Sequence, residues 1–146
     1  MEKVNVKIVQ THKDLPLPEY KTGGSACCDL ISAEDCVVPA KSFRPIDTGV
    51  KMAIPQGYEV QIRGRSGLAY KHGIGVVQGI GTIDSDYRGP IFVLLVNNGH
   101  QDYEVKRGER IAQMSVCKIS QVEWALVDDL DETERGSGGL GHTGRF

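Results

Sequence analysis

Apolar and polar side chains alternate along most of this chain in short runs, with the two-residue period of half-buried strands. Val4, Val6 and Ile8 alternate with Asn5 and Lys7 in the first run. Residues 25–32 (SACCDLIS) form a second strand candidate, and Val37-Val38-Pro39 ends a short third. Residues 43–54 read as a longer strand with a break near Gly49, and residues 58–63 (YEVQIR) alternate again after a Pro55-Gln56-Gly57 turn. Residues 73–80 (GIGVVQGI) and 91–96 (IFVLLV) flank the polar stretch 81–90 (GTIDSDYRGP). Strand, tight polar turn, strand reads as a β-hairpin. Residues 110–119 (RIAQMSVCKI) and 122–127 (VEWALV) are two further predicted strands, preceded by a turn at 97–102 (NNGHQD). The prolines of residues 15–20 mark a loop, and residues 64–73 (GRSGLAYKHG) break the β pattern with room for one helical turn.

Many short strands, turn signals between them and no amphipathic helix predict an all-β sandwich or barrel. No internal repeat or linker divides the chain. The expectation is one domain over residues 1–134, then a Gly-rich tail, residues 135–146 (RGSGGLGHTGRF), mobile when isolated. Eighteen glycines in 146 residues exceed the usual share of roughly 7%. That excess favours turns and close backbone approaches over long helices.

The net charge of −2 implies no bulk attraction to nucleic acid or to an anionic membrane. The longest apolar run, 91–96, is far too short to span a bilayer, and the start MEKVNVKIVQ lacks the apolar core of a signal peptide. Cys27, Cys28, Cys36 and Cys117 contain no CxxC spacing and read as free intracellular thiols. A cytoplasmic location is expected, with the nucleus open to a eukaryotic or viral chain. The scattered histidines offer no zinc ligand set.

Candidate chemistry gathers in a few stretches. Asp84 and Asp86 are two apart, so an extended backbone points both to one face. Such a pair suits a metal or general-base work; a solvated hairpin tip is the plain alternative. The DSDYRG run resembles the start of an EF-hand loop, but Leu95 occupies the place of the closing Glu. In GRSGLA, Arg65 and the Ser66 hydroxyl beside glycines make a plausible phosphate cradle, or simply a Gly-rich turn. No GxSxG elbow is present. The GxGxxG match at Gly136, Gly138 and Gly141 has no strand before it and no helix after it, so it is no dinucleotide fingerprint. Gly144 is followed by Arg145, so the tail is no Walker A loop either. The tail reads as a mobile end or as a flexible clamp with Arg135, His142, Thr143 and Arg145 as donors. Gln113 alone reads as outward alternation, and the acidic run 128–134 as a solvated surface.

Taken together, SACCDL, GRSGLA, GTIDSDYRG, GERIAQM and RGSGGLGHTG resemble, in order and across nearly the whole chain, the motifs of the homotrimeric dUTPases. The resemblance implies a jelly-roll-like distorted β-barrel with at most one short helix and a flexible C-terminal arm. It implies hydrolysis of dUTP to dUMP and pyrophosphate, which lowers dUTP and supplies dUMP for dTMP synthesis. It implies Mg²⁺ as cofactor and a homotrimer whose active sites are shared between subunits. Asp84 matches the carboxylate that activates water for in-line attack at the α-phosphorus. Tyr87 matches the ring that packs on deoxyribose; Gln78 and Gly81 match the hairpin that reads uracil. Arg65, Ser66, Gly67 and Gln113 match phosphate contacts, and Asp29 the outer-shell acid that holds the hydration of Mg²⁺. Arg135, Gly141, His142 and Thr143 match the arm that closes over the γ-phosphate of a neighbouring subunit's site.

Three positions depart from the family pattern. Gly64 stands where Pro is frequent, Gln78 where many bacterial members have Asn, and Leu140 where a Phe usually stacks on uracil. Two rival expectations remain: the dCTP deaminase branch of the same fold, and a non-catalytic nucleotide-binding trimer. Ammonia release from dCTP separates the first from a dUTPase, and pyrophosphate release from dUTP the second.

Overall fold

A computed structural model describes residues 2–142. Ten strands and one short helix follow one another: β1 (Lys7–Gln10), β2 (Cys28–Ile31), β3 (Cys36–Val38), β4 (Phe43–Ala53), β5 (Tyr58–Arg63), α1 (Ser66–His72), β6 (Ile74–Val76), β7 (Ile80–Ile83), β8 (Pro90–Asn97), β9 (Tyr103–Val105) and β10 (Arg110–Lys118). Two four-stranded sheets, ordered β1-β4-β8-β6 and β2-β10-β5-β7, enclose the core, and β3 and β9 form a small ribbon. All the pairings are antiparallel. The architecture is the all-β, jelly-roll-like class, as expected.

Alternation explains the layers. Along β8, Ile91, Val93 and Leu95 are buried while Phe92 and Leu94 face outward. Along β5, Val60 and Ile62 are buried between partly exposed Glu59, Gln61 and Arg63. Val38, Ile46, Val93, Leu95 and Ile111 are fully enclosed. Burying each such side chain contributes about 1.5–3 kcal/mol. The break at Gly49 is a register shift between Asp47 and Lys51 in the pairing of β4 with β8.

Four expectations need correction. The run 73–80 is not one strand, and the polar stretch is not the tip of a simple hairpin. β6 ends at Val76, a turn follows in which the Gly79 N–H donates to the Val76 carbonyl at 2.9 Å, and β7 then joins the opposite sheet beside β5. Exposed Val77 and Gln78 cannot continue a buried strand, so the chain leaves β8 there. Second, residues 122–127 form no strand; no edge among the described residues pairs with them, and Val122, Trp124 and Leu126 are exposed. Third, the first strand is shorter than its alternation suggests and begins at Lys7. Fourth, β9 went unpredicted because three residues carry too little period to read. The helical turn is present as α1. Its far end is held by a tilted ring contact of His72 with Tyr103 (centroids 5.1 Å apart), whose hydroxyl donates to Glu109.

Candidate active site

Two polar clusters stand at opposite ends of the β2-β10-β5-β7 sheet. The first surrounds the start of α1. Gly64 and Arg65 follow directly from β5, so the strand delivers the cradle residues to the sheet's edge. Gln113 of β10 pairs with both Asp29 of β2 and Arg63 of β5. Its side-chain amide donates to the Gly64 carbonyl at 2.8 Å and so pins the loop before the helix. Asp29 is ion-paired with two guanidiniums: Arg65 Nε lies 3.2 Å from its carboxylate, and Arg110 Nη1 donates to it at 3.0 Å. Arg65 Nη1 also donates to the Arg110 carbonyl at 2.8 Å. The Ser66 hydroxyl and Gly67 stay exposed beside this pair. The cluster therefore offers two guanidiniums, a hydroxyl and an exposed glycine backbone on one surface, a set suited to phosphate oxygens.

Arg110 escaped the sequence reading. Its role follows only from the β10–β2 register, which sets Arg110 opposite Ile31 and brings its side chain to Asp29.

The second cluster lies where β7 ends. Gln78, Thr82, Ile83, Asp84, Tyr87, Pro90, Phe92 and Leu94 line a cavity of about 270 Å³. This approaches the lower end of small-molecule sites, roughly 300–1,000 Å³. The Tyr87 ring folds back across Gly89, and its hydroxyl donates to the Pro90 carbonyl at 2.9 Å. A Cβ at Gly89 would lie 2.6 Å from Tyr87 Cζ, so only glycine admits this ring position. Gly81 faces the Gln78 side chain at contact distance, since a Cβ there would lie 3.4 Å from Gln78 Nε2. Gln78 therefore lies over the backbone of β7. The Asp84 carboxylate is exposed and has no salt bridge or side-chain hydrogen bond among the described residues.

A larger hollow of about 820 Å³ lies on the other side of the same turn, lined by Glu59, Asp84, Asp86 and Arg88 among others. Three carboxylates against one guanidinium disfavour an anionic ligand there, whereas the smaller slot combines apolar walls with a few polar groups.

Strand geometry sets the distance between the clusters. Gln113, Arg63 and Ile80 occupy one row across β10, β5 and β7. Asp84 is four residues beyond Ile80, so it lies roughly 13 Å along the sheet and two spacings, roughly 10 Å, across it from Gln113. One chain thus keeps the Asp84 carboxylate, unpartnered among the described residues, and its phosphate-suited cluster roughly 16 Å apart.

The described part of the tail, residues 135–142, makes no hydrogen bond or salt bridge to either cluster. Arg135 Nε donates to the Gly138 carbonyl at 2.8 Å, and the His142 ring packs on Gly138. Arg135, Leu140, Gly141 and His142 are exposed, and Leu140 has left-handed backbone (φ 47°). Thr143 lies outside the described residues.

No group of three acidic, histidine or cysteine ligands exists among the described residues. With Asp29 engaged by Arg65 and Arg110, the described residues offer no dedicated cation cage. Such a donor set fits Mg²⁺ only as an ion held mainly by substrate phosphates, with a carboxylate at its water shell. Burial pushes the Cys28 thiol above its ordinary value, which keeps it protonated and a poor nucleophile.

The class these features define is an all-β domain with a small mixed polar and apolar slot and a separate phosphate-suited surface. Comparison with known proteins narrows it. The sequence model of the family described as dUTPase matches residues 13–144. The deoxyuridine 5'-triphosphate nucleotidohydrolase of Zymomonas mobilis is 46% identical over 142 residues, covering 97% of each chain. That of Fusobacterium nucleatum is also 46% identical, covering 99% of this chain and 100% of its own. The dUTPase of Staphylococcus bacteriophage 80alpha, solved with dUPNHPP, superposes with a TM-score of 0.88 at 25% identity over 97% of this chain and 99% of its own. The chain belongs to the dUTPase family.

Proposed function

We propose that this chain hydrolyses dUTP to dUMP and pyrophosphate, lowering dUTP and supplying dUMP for dTMP synthesis. One observation carries the reading: an Asp84 carboxylate unpartnered among the described residues shares a small slot with Tyr87 and Gln78. The 46% identical relatives are named for this reaction, which supports it further.

In the proposed mechanism Asp84 takes a proton from a water as the water oxygen bonds to the α-phosphorus. The bond from that phosphorus to the bridging oxygen breaks in line, and pyrophosphate departs. Tyr87, already held flat by Gly89 and Pro90, packs on the deoxyribose and leaves no space for a 2′-hydroxyl. Gln78 and the backbone at Gly81 read the uracil edge. Arg65, the Ser66 hydroxyl, the Gly67 backbone, Gln113 and Arg110 hold the phosphates. Bound Mg²⁺ would offset phosphate charge, with Asp29 at its hydration shell once Arg65 and Arg110 turn towards the anion.

A carboxylate roughly 16 Å from the cradle cannot serve an α-phosphate held there. We therefore propose a homotrimer in which the Asp84 slot of one subunit faces the cradle of the next. The 135–146 arm of a neighbouring subunit closes the site, bringing Arg135, Gly141, His142 and Thr143 to the γ-phosphate and Leu140 to the base. Free thiols fit a reducing compartment, and the cytoplasm is the proposed location.

The decisive assay is pyrophosphate release from dUTP with Mg²⁺, run beside ammonia release from dCTP. Release of pyrophosphate without ammonia is expected. Ammonia from dCTP, or neither product, overturns the reading.

A further inference from the structure

We propose that Glu109 and Tyr103 are positioning residues for the phosphate cradle: they lock the turn before β10 and so aim Arg110 at Asp29 and the substrate phosphates. The inference rests on the dUTP reading above and extends it to two residues outside the contacts named there.

Alternation alone would bury Arg110. Gln113 faces outward beside Asp29, so strict alternation along β10 would turn Ile111 outward and Arg110 into the core. Instead Ile111 and Ala112 are both fully buried, and Arg110 is exposed. The pairing with β2 shifts at this point, setting Ala112 opposite Leu30 but Arg110 opposite Ile31. One extra residue on one strand is a β-bulge, and a bulge re-aims a side chain. Here it brings the Arg110 guanidinium to the outer face, where Nη1 donates to Asp29 at 3.0 Å.

A bulge at the end of a strand holds that aim only if the chain before it is fixed. Residues 106–109 form a tight turn in which the Glu109 N–H donates to the Lys106 carbonyl at 2.9 Å, with Gly108 at φ 83°. The Glu109 carboxylate ties the turn twice. One oxygen accepts from the Lys106 N–H at 3.0 Å, the other from the Tyr103 hydroxyl. Burial and the neighbouring Glu109 carboxylate hold that hydroxyl above its ordinary range, so it stays a donor. Tyr103 is itself seated by its ring contact with His72 and by the pairing of β9 with β3. The Gly108 N–H donates to the Ser32 carbonyl and the Ser32 N–H to the Glu109 carbonyl, both at 2.8 Å, which joins the turn to the chain just past β2. Arg110 follows Glu109 directly and inherits this fixation; its own carbonyl receives Arg65 Nη1 at 2.8 Å.

Charge gives the test its sign. Removing a carboxylate beside a phosphate site should by itself tighten an anion. Loss of a carboxylate that holds Arg110 in place should weaken it instead.

The test compares the parent chain with Tyr103→Phe, Glu109→Gln, Arg110→Ala and the double variant of Tyr103→Phe with Arg110→Ala. Binding of inorganic tripolyphosphate and of deoxyuridine is titrated with Mg²⁺ present, beside steady-state dUTP hydrolysis. Tyr103→Phe keeps the ring against His72 and loses only the hydroxyl. It should weaken tripolyphosphate binding roughly fivefold, and Glu109→Gln at least as much, with deoxyuridine binding unchanged. KM for dUTP should rise in parallel. In the Arg110→Ala background Tyr103→Phe should add little, because its effect passes through Arg110. If Glu109→Gln does not fold, Tyr103→Phe carries the comparison. Unchanged tripolyphosphate binding in Tyr103→Phe overturns the proposal, as does tighter binding in Glu109→Gln. Equal weakening of deoxyuridine, or the same loss persisting in the Arg110→Ala background, overturns it too. Failure of the parent chain to release pyrophosphate from dUTP counts against the functional reading instead, and the tripolyphosphate titrations still decide the role of Glu109 and Tyr103.

Discussion

A single turn concentrates the chemistry of this subunit in a few atoms. Asp84 presents a carboxylate without a partner among the described residues, while Asp29 has two. The difference separates a group available to take a proton from one already committed to cations. Asp84→Asn keeps shape and removes the base, so kcat should fall by roughly three orders of magnitude or more with little change in KM. Near-normal turnover of purified Asp84→Asn would remove Asp84 from the mechanism. Gly89 exerts its effect at one remove. A methyl group there would push the Tyr87 ring off its seat, since the added carbon would overlap Cζ. The preference for dUTP over UTP, measured as a ratio of kcat/KM values, should narrow by roughly tenfold in Gly89→Ala. Tyr87→Phe, which loses the bond to Pro90 but keeps the ring, should narrow it less. An unaltered ratio in Gly89→Ala would mean that ring position does not decide sugar selectivity.

Elements were legible in the sequence wherever burial is decided within the chain. YEVQIR alternates because Val60 and Ile62 face the core and their neighbours do not, and β5 lies where the pattern predicts. GRSGLA broke the pattern and became the start of α1. Legibility failed where alternation records burial without naming its partner. GIGVVQGI looks continuous, but its two halves pair with different sheets, and no local signal distinguishes a strand that changes sheet from one that does not. Asp84, Tyr87 and the cradle were readable as polar residues among glycines; Arg110 was not, because only register brings it to a site. VEWALV is the reverse case, a clear alternation without a partner in its own chain. Trp124, the sole tryptophan, is 86% exposed there. In the proposed trimer we expect a neighbouring subunit to offer the missing edge. Trp124 fluorescence should therefore be blue-shifted in the assembled protein and move red on dissociation. Trp124→Ala should weaken assembly by about 2–4 kcal/mol, read by sedimentation. A solvent-exposed tryptophan spectrum in the intact oligomer would leave the segment without its proposed role.

At the scale of the whole molecule, the separation of the two clusters makes a single subunit an incomplete enzyme under the proposed function. Each site then draws its base, its cradle and its arm from different copies, and that division can be tested by complementation. Asp84→Asn subunits keep a good arm, and subunits lacking residues 135–146 keep a good base. Each parent alone should be nearly inactive, for opposite reasons. Unfolding the two together and reassembling them in equal amounts should leave about three quarters of the trimers mixed. In either kind of mixed trimer, one of the three sites combines an intact Asp84 with an arm from an Asp84→Asn neighbour. The mixture should therefore recover about one quarter of the parental activity, and the recovery should vanish if one partner carries both changes. An arm that served its own subunit's base would give no recovery, because no subunit in the mixture has both parts. Assembly without recovery would therefore place the arm and the base of each site on one chain.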